Sequence, residues 1–140
     1  MITMDTYAQL KWAANRWMDV IWAERNLDAF DLIHSPDFVD HSPAGRESDP
    51  ASYKRSIEAL YTAFPDFCAQ VRDMVVDAEE NKVAIRWQAQ GTQQAEFMGF
   101  PASGKRISFN GIEIIRIDDV MVVERWGEWD GLDLLRQLQD

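Results

Sequence analysis

The hydrophobic positions of this chain change their period once. From Asp5 to Phe64 they recur with helical spacing, and from Phe67 onward they alternate. Leu10, Ala13, Ala14, Trp17 and Ile21 fall on one stripe of a helix, which predicts a helix from Asp5 to Glu24. Trp12 and Trp22 lie off that stripe and are expected to face a second surface or a partner. Asn26 can cap a shorter helix carrying Leu27, Phe30 and Ile33. That helix should end at His34-Ser35-Pro36, because the residue before a proline is pushed out of the helical region. Pro36 to Ser48 reads as irregular. Asp49-Pro50 then supplies an N-cap followed by proline at the first helical position, and Tyr53, Ile57, Leu60, Tyr61 and Phe64 carry a third helix to Pro65.

Past Pro65, four runs rich in β-branched and aromatic residues predict strands: Phe67 to Asp77, Val83 to Thr92, Ile107 to Asp118 and Val120 to Trp129. Glu79-Glu80-Asn81 and Asp118-Asp119 read as turns, and Gly99 to Gly104 as a loop full of breakers. Asp130-Gly131 opens a last short helix with Leu132, Leu134, Leu135 and Leu138. Helices first and an antiparallel meander second define an α+β fold. A strongly curved sheet closed on one side by helices leaves a concave pocket.

Composition narrows the function. The 140 residues fit one domain, 1–140, with no repeat, linker or low-complexity tract. With 46% hydrophobic residues and six tryptophans, the chain is expected to fold rather than stay disordered. Its formal charge of −10, from 14 basic and 24 acidic residues, disfavours nucleic acid and anionic membrane as partners. No stretch approaches the length of a membrane span, and Met1 to Asp5 lacks the blocks of a secretory signal, so a cytoplasmic location is the expectation. The single cysteine, Cys68, leaves the fold to packing alone.

The chain has no glycine-rich phosphate loop, nucleophile elbow or His-Glu-x-x-His pair. Its two histidines, His34 and His41, flank Asp37 and Asp40 at a spacing that fits no established metal site, and no metal or cofactor is expected. One histidine should be solvated in a loop and the other hydrogen-bonded near the pocket mouth. If the last two strands pair with Ile117 opposite Met121, Glu113 falls opposite Arg125 on an apolar face. That pair is either a buried structural ion pair or a catalytic one. On the other face the same register brings Ser108 and Asn110 near Asp130 and Glu128, with Ile112 beside Trp126. Asp130 is then either a general base or the N-cap of the last helix.

The stretch Gly91-Thr92-Gln93-Gln94-Ala95-Glu96-Phe97-Met98-Gly99-Phe100-Pro101-Ala102-Ser103-Gly104-Lys105 resembles the SnoaL-like polyketide cyclases, also called the ester cyclase family. So do the closing Glu124-x-Trp126, Asp130 and Leu134-x-x-Gln137-Leu138, and Asp40-His41 after the second helix. The resemblance implies the cone of the nuclear transport factor two-like superfamily, a curved antiparallel sheet packed on N-terminal helices. It also implies intramolecular aldol closure of an aromatic polyketide ester without metal or cofactor. It places the acid/base aspartate at Asp130 and suits Trp87 and Trp126 to the substrate cavity, and His41, Gln93, Asn110 and Glu113 are expected to line the same pocket. Dimers formed through the sheet are a further implication. Two departures stand out: Gln93 replaces a histidine common among relatives, and no histidine follows His41. Asn110, Glu113 and Arg116 are the candidates to replace the late histidine. The alternative function is a non-catalytic small-molecule-binding or dimerisation domain on the same fold.

Overall fold

The computed structural model describes residues 5–139, so Met1 to Met4, read above as part of a leaderless N-terminus, lie outside it. Helix α1 (Thr6–Trp17) starts on the Asp5 side chain, which accepts a hydrogen bond from the Tyr7 amide at 3.1 Å. It buries Leu10, Ala13, Ala14 and Trp17, the predicted stripe. From Met18 to Ala23 the helix widens into a π-helical turn, with the Glu24 amide donating to the Asp19 carbonyl at 2.8 Å. A π turn lets side chains fall out of the 3.6-residue phase, and this one carries Trp22 inward against Trp17, Tyr61 and Phe67. Trp22 therefore does not face outward as its position off the stripe suggested, whereas Trp12 is exposed beneath the Arg16 guanidinium.

A short 3₁₀ turn runs into α2 (Phe30–Ile33), which passes directly into strand β1 (His34–Asp40). The segment expected to be irregular thus begins as a strand, and it lies parallel to β5 (Met121–Trp129) at the edge of the sheet. An edge position tolerates Pro36, which has no N–H to donate, and the pairing is interrupted between His34 and Val39. Helix α3 (Pro50–Ala63) has Asp49 as its cap, accepting from the Ser52 amide. Strands β2 (Cys68–Asp77), β3 (Lys82–Thr92) and β4 (Arg106–Asp118) complete a five-stranded sheet in the order β1-β5-β4-β3-β2. Helix α4 (Gly131–Gln139) follows β5. The architecture is α+β, as expected, with an open, mixed sheet rather than a wholly antiparallel one.

Strand parity decides what faces the helices. Along β4 the odd positions from Ile107 to Ile117 are all buried, Gly111 included, while Asn110, Ile112 and Ile114 on the even positions are exposed. The β4–β5 register differs from the expected one by two residues, with Glu113 opposite Gly127 and Ile115 opposite Arg125. The cause is at the turn: Asp119 and Val120, both with φ near +50°, form the two-residue loop, and the register shifts between Arg116 and Ile117. A shift of two keeps each side chain on its face, so Glu113 and Arg125 still meet inside.

Candidate functional site

Between the concave face of the sheet and helices α1 and α3 lies a cavity of about 330 Å³. Its walls are mostly aromatic and aliphatic. Met18 and Trp22 come from the π turn after α1, Ile57 and Leu60 from α3, Trp87 from β3, Phe109 from β4 and Trp129 from β5. Trp87 lies over Gly111, whose missing side chain leaves room for the indole; a Cβ there would strike it. The loop after β3 supplies Phe97 and Met98. Phe97 and Phe100 exchange both backbone hydrogen bonds at 2.9 Å across a Met98-Gly99 turn with positive φ at both residues.

One end of the cavity is polar. Arg125 donates to Glu113 Oε1 at 2.8 Å through Nη2 and at 3.1 Å through Nε, and to Asp40 Oδ1 at 2.8 Å through Nη1. Arg46 donates to the other Asp40 oxygen at 2.5 Å. The result is a chain Arg46–Asp40–Arg125–Glu113 in which every carboxylate is buried. Burial pushes the Glu113 carboxyl up to about 7, against the pull of Arg125, whose charge Asp40 shares. Arg125 stays charged: burial opposes the charge, and Tyr53, Glu113 and Asp40 more than offset it. Gly127 lies beneath the pair, and a Cβ there would collide with both the Glu113 carboxylate and the guanidinium. Tyr53 is 2% exposed, under Arg125 at 4.9 Å and Arg46 at 5.7 Å, and its hydroxyl has no hydrogen-bond partner. Burial raises its phenol well above the ordinary range, so it stays an O–H donor.

The sequence-predicted site residues divide between the two faces of the sheet. Trp87 and Glu113 line the cavity. Gln93 is fully buried behind it, donating to the Ala95 and Phe100 carbonyls at 3.1 and 3.0 Å while its Oε1 accepts from Ser103 at 2.6 Å. It thus anchors the Phe97–Met98 loop instead of lining the cavity. His41 and Trp126 are on the outer face, stacked at 4.7 Å. There His41 pairs with Glu124 at 2.6 Å and Lys82 sits 5.0 Å over the Trp126 ring. Asn110 on β4 and Trp126 on β5 stand at even-numbered positions that point outward, away from the cavity. Asn110 instead shares a shallow outer groove with Arg86, Glu128 and Asp130. Asp130 is exposed, and its Oδ1 accepts from the Asp133 amide at 3.0 Å, the geometry of a helix cap. Arg116 pairs with Glu124 on the outer face as well.

Asp40, Arg46 and Tyr53 were not foreseen as site residues. Gly111 and Gly127, each inside a run of strand formers, were the signal available, since an internal strand glycine often marks a close approach. His34 is a satisfied core histidine. Its Nδ1 donates to the Phe30 carbonyl and its Nε2 accepts from Trp17 Nε1, each at 3.0 Å, and burial lowers it to about 4. Among the described residues, no group of three or more His, Cys, Asp or Glu could hold a metal ion. No helix there is long and apolar enough to cross a membrane.

A half-cone of sheet over helices, with a buried acid at the polar end of an aromatic cavity, defines an α+β domain of the nuclear transport factor two-like class. The chain belongs to the SnoaL-like polyketide cyclase family, whose model matches residues 13–138. No curated protein matches the sequence. Among solved structures it is similar to AclR of Streptomyces galilaeus, a candidate hydroxylase, at 31% identity over 95% of this chain and 97% of that one, with a TM-score of 0.84. It is also similar to IdmH of Streptomyces antibioticus, a candidate polyketide cyclase, at 27% identity over 94% and 99%, TM-score 0.81. A candidate cyclase from Acidithiobacillus ferrooxidans is 27% identical over 99% and 98%, TM-score 0.80.

Proposed function

We propose that this protein is a cofactor-independent cyclase-type enzyme acting by acid/base catalysis on a hydrophobic aromatic substrate with an enolisable carbonyl. The observation that carries this reading is Glu113, a carboxyl raised to about 7 at the polar end of an otherwise aromatic cavity. A base is most effective when its pKa lies near the working pH. Ionised Glu113 takes a proton from the carbon next to the carbonyl, and the Tyr53 O–H, which has no other partner, donates to the resulting enolate oxygen. The enolate carbon attacks a second carbonyl of the same molecule. The new alkoxide then takes the proton back from Glu113, so the aldol product is an isomer of the substrate.

The test is proton exchange at the activated methylene of 2-tetralone in deuterated buffer, followed by NMR. The wild type is expected to accelerate exchange and Glu113→Gln to lose that acceleration, whereas equal rates would overturn the assignment. Asp130, the base implied by family resemblance, caps α4 outside the cavity lining, and Asp130→Asn is expected to leave exchange unchanged. The firm two-pronged hold of Arg125 on Glu113 favours the alternative, a non-catalytic binding domain; it would show as 2-tetralone binding without exchange. The likeness to AclR, a candidate hydroxylase, favours a second reading in which, with molecular oxygen and a two-electron reductant supplied, mass spectrometry would reveal a product heavier by one oxygen, the other oxygen atom leaving as water. The outer sheet face exposes Ile112, Ile114 and Val75, which supports a homodimer joined there. Gel filtration at several concentrations tests it, and a monomer throughout would end the idea.

A further inference from the structure

The cavity has a second polar feature besides the Glu113–Arg125 pair, and part of it is distant from Glu113. Among the described residues four buried side-chain nitrogen or oxygen atoms have no hydrogen-bond partner, and three belong to residues that line the cavity: Trp22 Nε1, Arg46 Nε and Tyr53 Oη. All three groups carry a hydrogen to donate, and two of them can do nothing else. Buried polar groups in folded proteins are nearly always paired, so unpaired donors gathered around one cavity point to something the cavity receives.

Their placement sets the shape of that ligand. Arg46 and Tyr53 sit together at the Glu113 end, where both arginines cover the Tyr53 ring. Trp22 is at the other end, packed edge-on against Tyr61, eight residues further along α3 than Tyr53. Eight helical residues span ~12 Å at 1.5 Å each. Between the two ends the walls are Ile57, Leu60, Trp87 and Phe109, which offer no strong donor except the Trp87 indole. Trp22 holds its place because of the π turn at Met18–Ala23, and single π turns recur at functional sites.

We propose that the cavity selects a flat, apolar ligand bearing a hydrogen-bond acceptor oxygen at each end, with Trp22 Nε1 reading the far oxygen and Tyr53 Oη the near one. This rests on the substrate-cavity reading above and adds Trp22 as a specificity residue far from the reacting carbon. A ligand with one oxygen leaves one donor as unpaired as it is in the free protein and forgoes the second hydrogen bond.

The probes are 2,6-diacetylnaphthalene, with a carbonyl at both ends, 2-acetylnaphthalene, with one, and 2-ethylnaphthalene, with none. Binding is followed by isothermal titration calorimetry on the full chain. The wild type is expected to prefer the two-ended ketone over the one-ended one by about tenfold, the worth of one well-placed hydrogen bond. Trp22→Phe is expected to erase that preference while leaving 2-ethylnaphthalene binding as it was. Tyr53→Phe, which keeps the ring under both arginines, is expected to weaken both ketones and spare the hydrocarbon. Equal binding of all three probes by the wild type would overturn the inference while leaving the cavity and its chemistry standing. So would a preference that survives Trp22→Phe. No binding of any probe overturns it together with the reading it rests on.

Discussion

Glu113→Gln should gain stability relative to wild type as the pH rises through neutrality, whatever the fixed cost of removing one side of a buried ion pair. The Glu113 carboxyl goes from an ordinary value of 4.5 to about 7 on folding. Because the folded value is raised, its contribution to stability is fully present below 4.5 and is lost as pH rises through about 7. At about 1.4 kcal/mol for each tenfold change, the full span is worth about 3 kcal/mol. The sequence pI of about 4.6 makes the acid end impractical, so the usable window begins near pH 5.5. Between about pH 5.5 and 8, about 2 kcal/mol of the span remains to be read. The assay is urea denaturation of both proteins across that window, taking the difference at each pH. Titrating groups that do not interact with Glu113 cancel in the difference, His34 included. Wild type should lose about 2 kcal/mol against the glutamine variant as pH rises. A difference that stays flat, or that moves in favour of wild type, means that Glu113 is ionised throughout and locked by Arg125. The acid/base role would fall with it.

Removing Arg125 should act oppositely. Arg125→Met leaves Glu113 and Asp40 without their shared partner, and by the usual cost of breaking a buried pair should lose about 3–5 kcal/mol in the same urea assay at pH 7. Gly127→Ala puts a methyl group where the Glu113–Arg125 pair lies, and should cost about 1–3 kcal/mol and weaken ligand binding, checked by denaturation and calorimetry. Asp130→Ala removes the α4 cap and should cost about 1 kcal/mol, while Asp130→Asn, which can still cap, should be nearly neutral. His34, lowered to about 4 by burial, should show no imidazole titration by NMR as the pH falls from about 8 to 5.5; a midpoint near the ordinary 6.5 would refute its buried, neutral state.

Period and breakers made most of the architecture legible. The Leu10–Trp17 stripe, the Asp49-Pro50 cap and the alternation along β4 each depend on interactions within one segment, and each appears where it was expected. Strand β1 was not legible, because a parallel edge strand interrupted at Pro36 has neither alternation nor a neighbour in sequence. Trp22 defied its helical phase for a similar reason: the π turn that rotates it has no compositional signature. For the site, pairing rules brought Glu113 to Arg125 even from a register two residues out, since parity is insensitive to an even slip. The same parity separates His41 and Trp126 from the cavity, and resemblance in sequence motifs carries no information about face. Asp40 and Arg46 sit where only tertiary docking could place them.

The parallel strand also has a kinetic meaning. Glu113 and Arg125 are twelve residues apart on one hairpin, so their contact needs only local chain closure. Asp40 reaches Arg125 across a separation of 85 residues, after β1 has docked beside β5. Contacts between distant parts of a chain form slowly, because loop-closure entropy is spent before they return any stabilisation. A chain caught midway can therefore hold the β4–β5 hairpin with its acid and guanidinium joined and still lack Asp40 on the other side. In that state Arg125 answers to a single carboxylate, and the cavity has no closed polar end. The charge state of Glu113 is thus a reporter of whether the two halves of the molecule have come together.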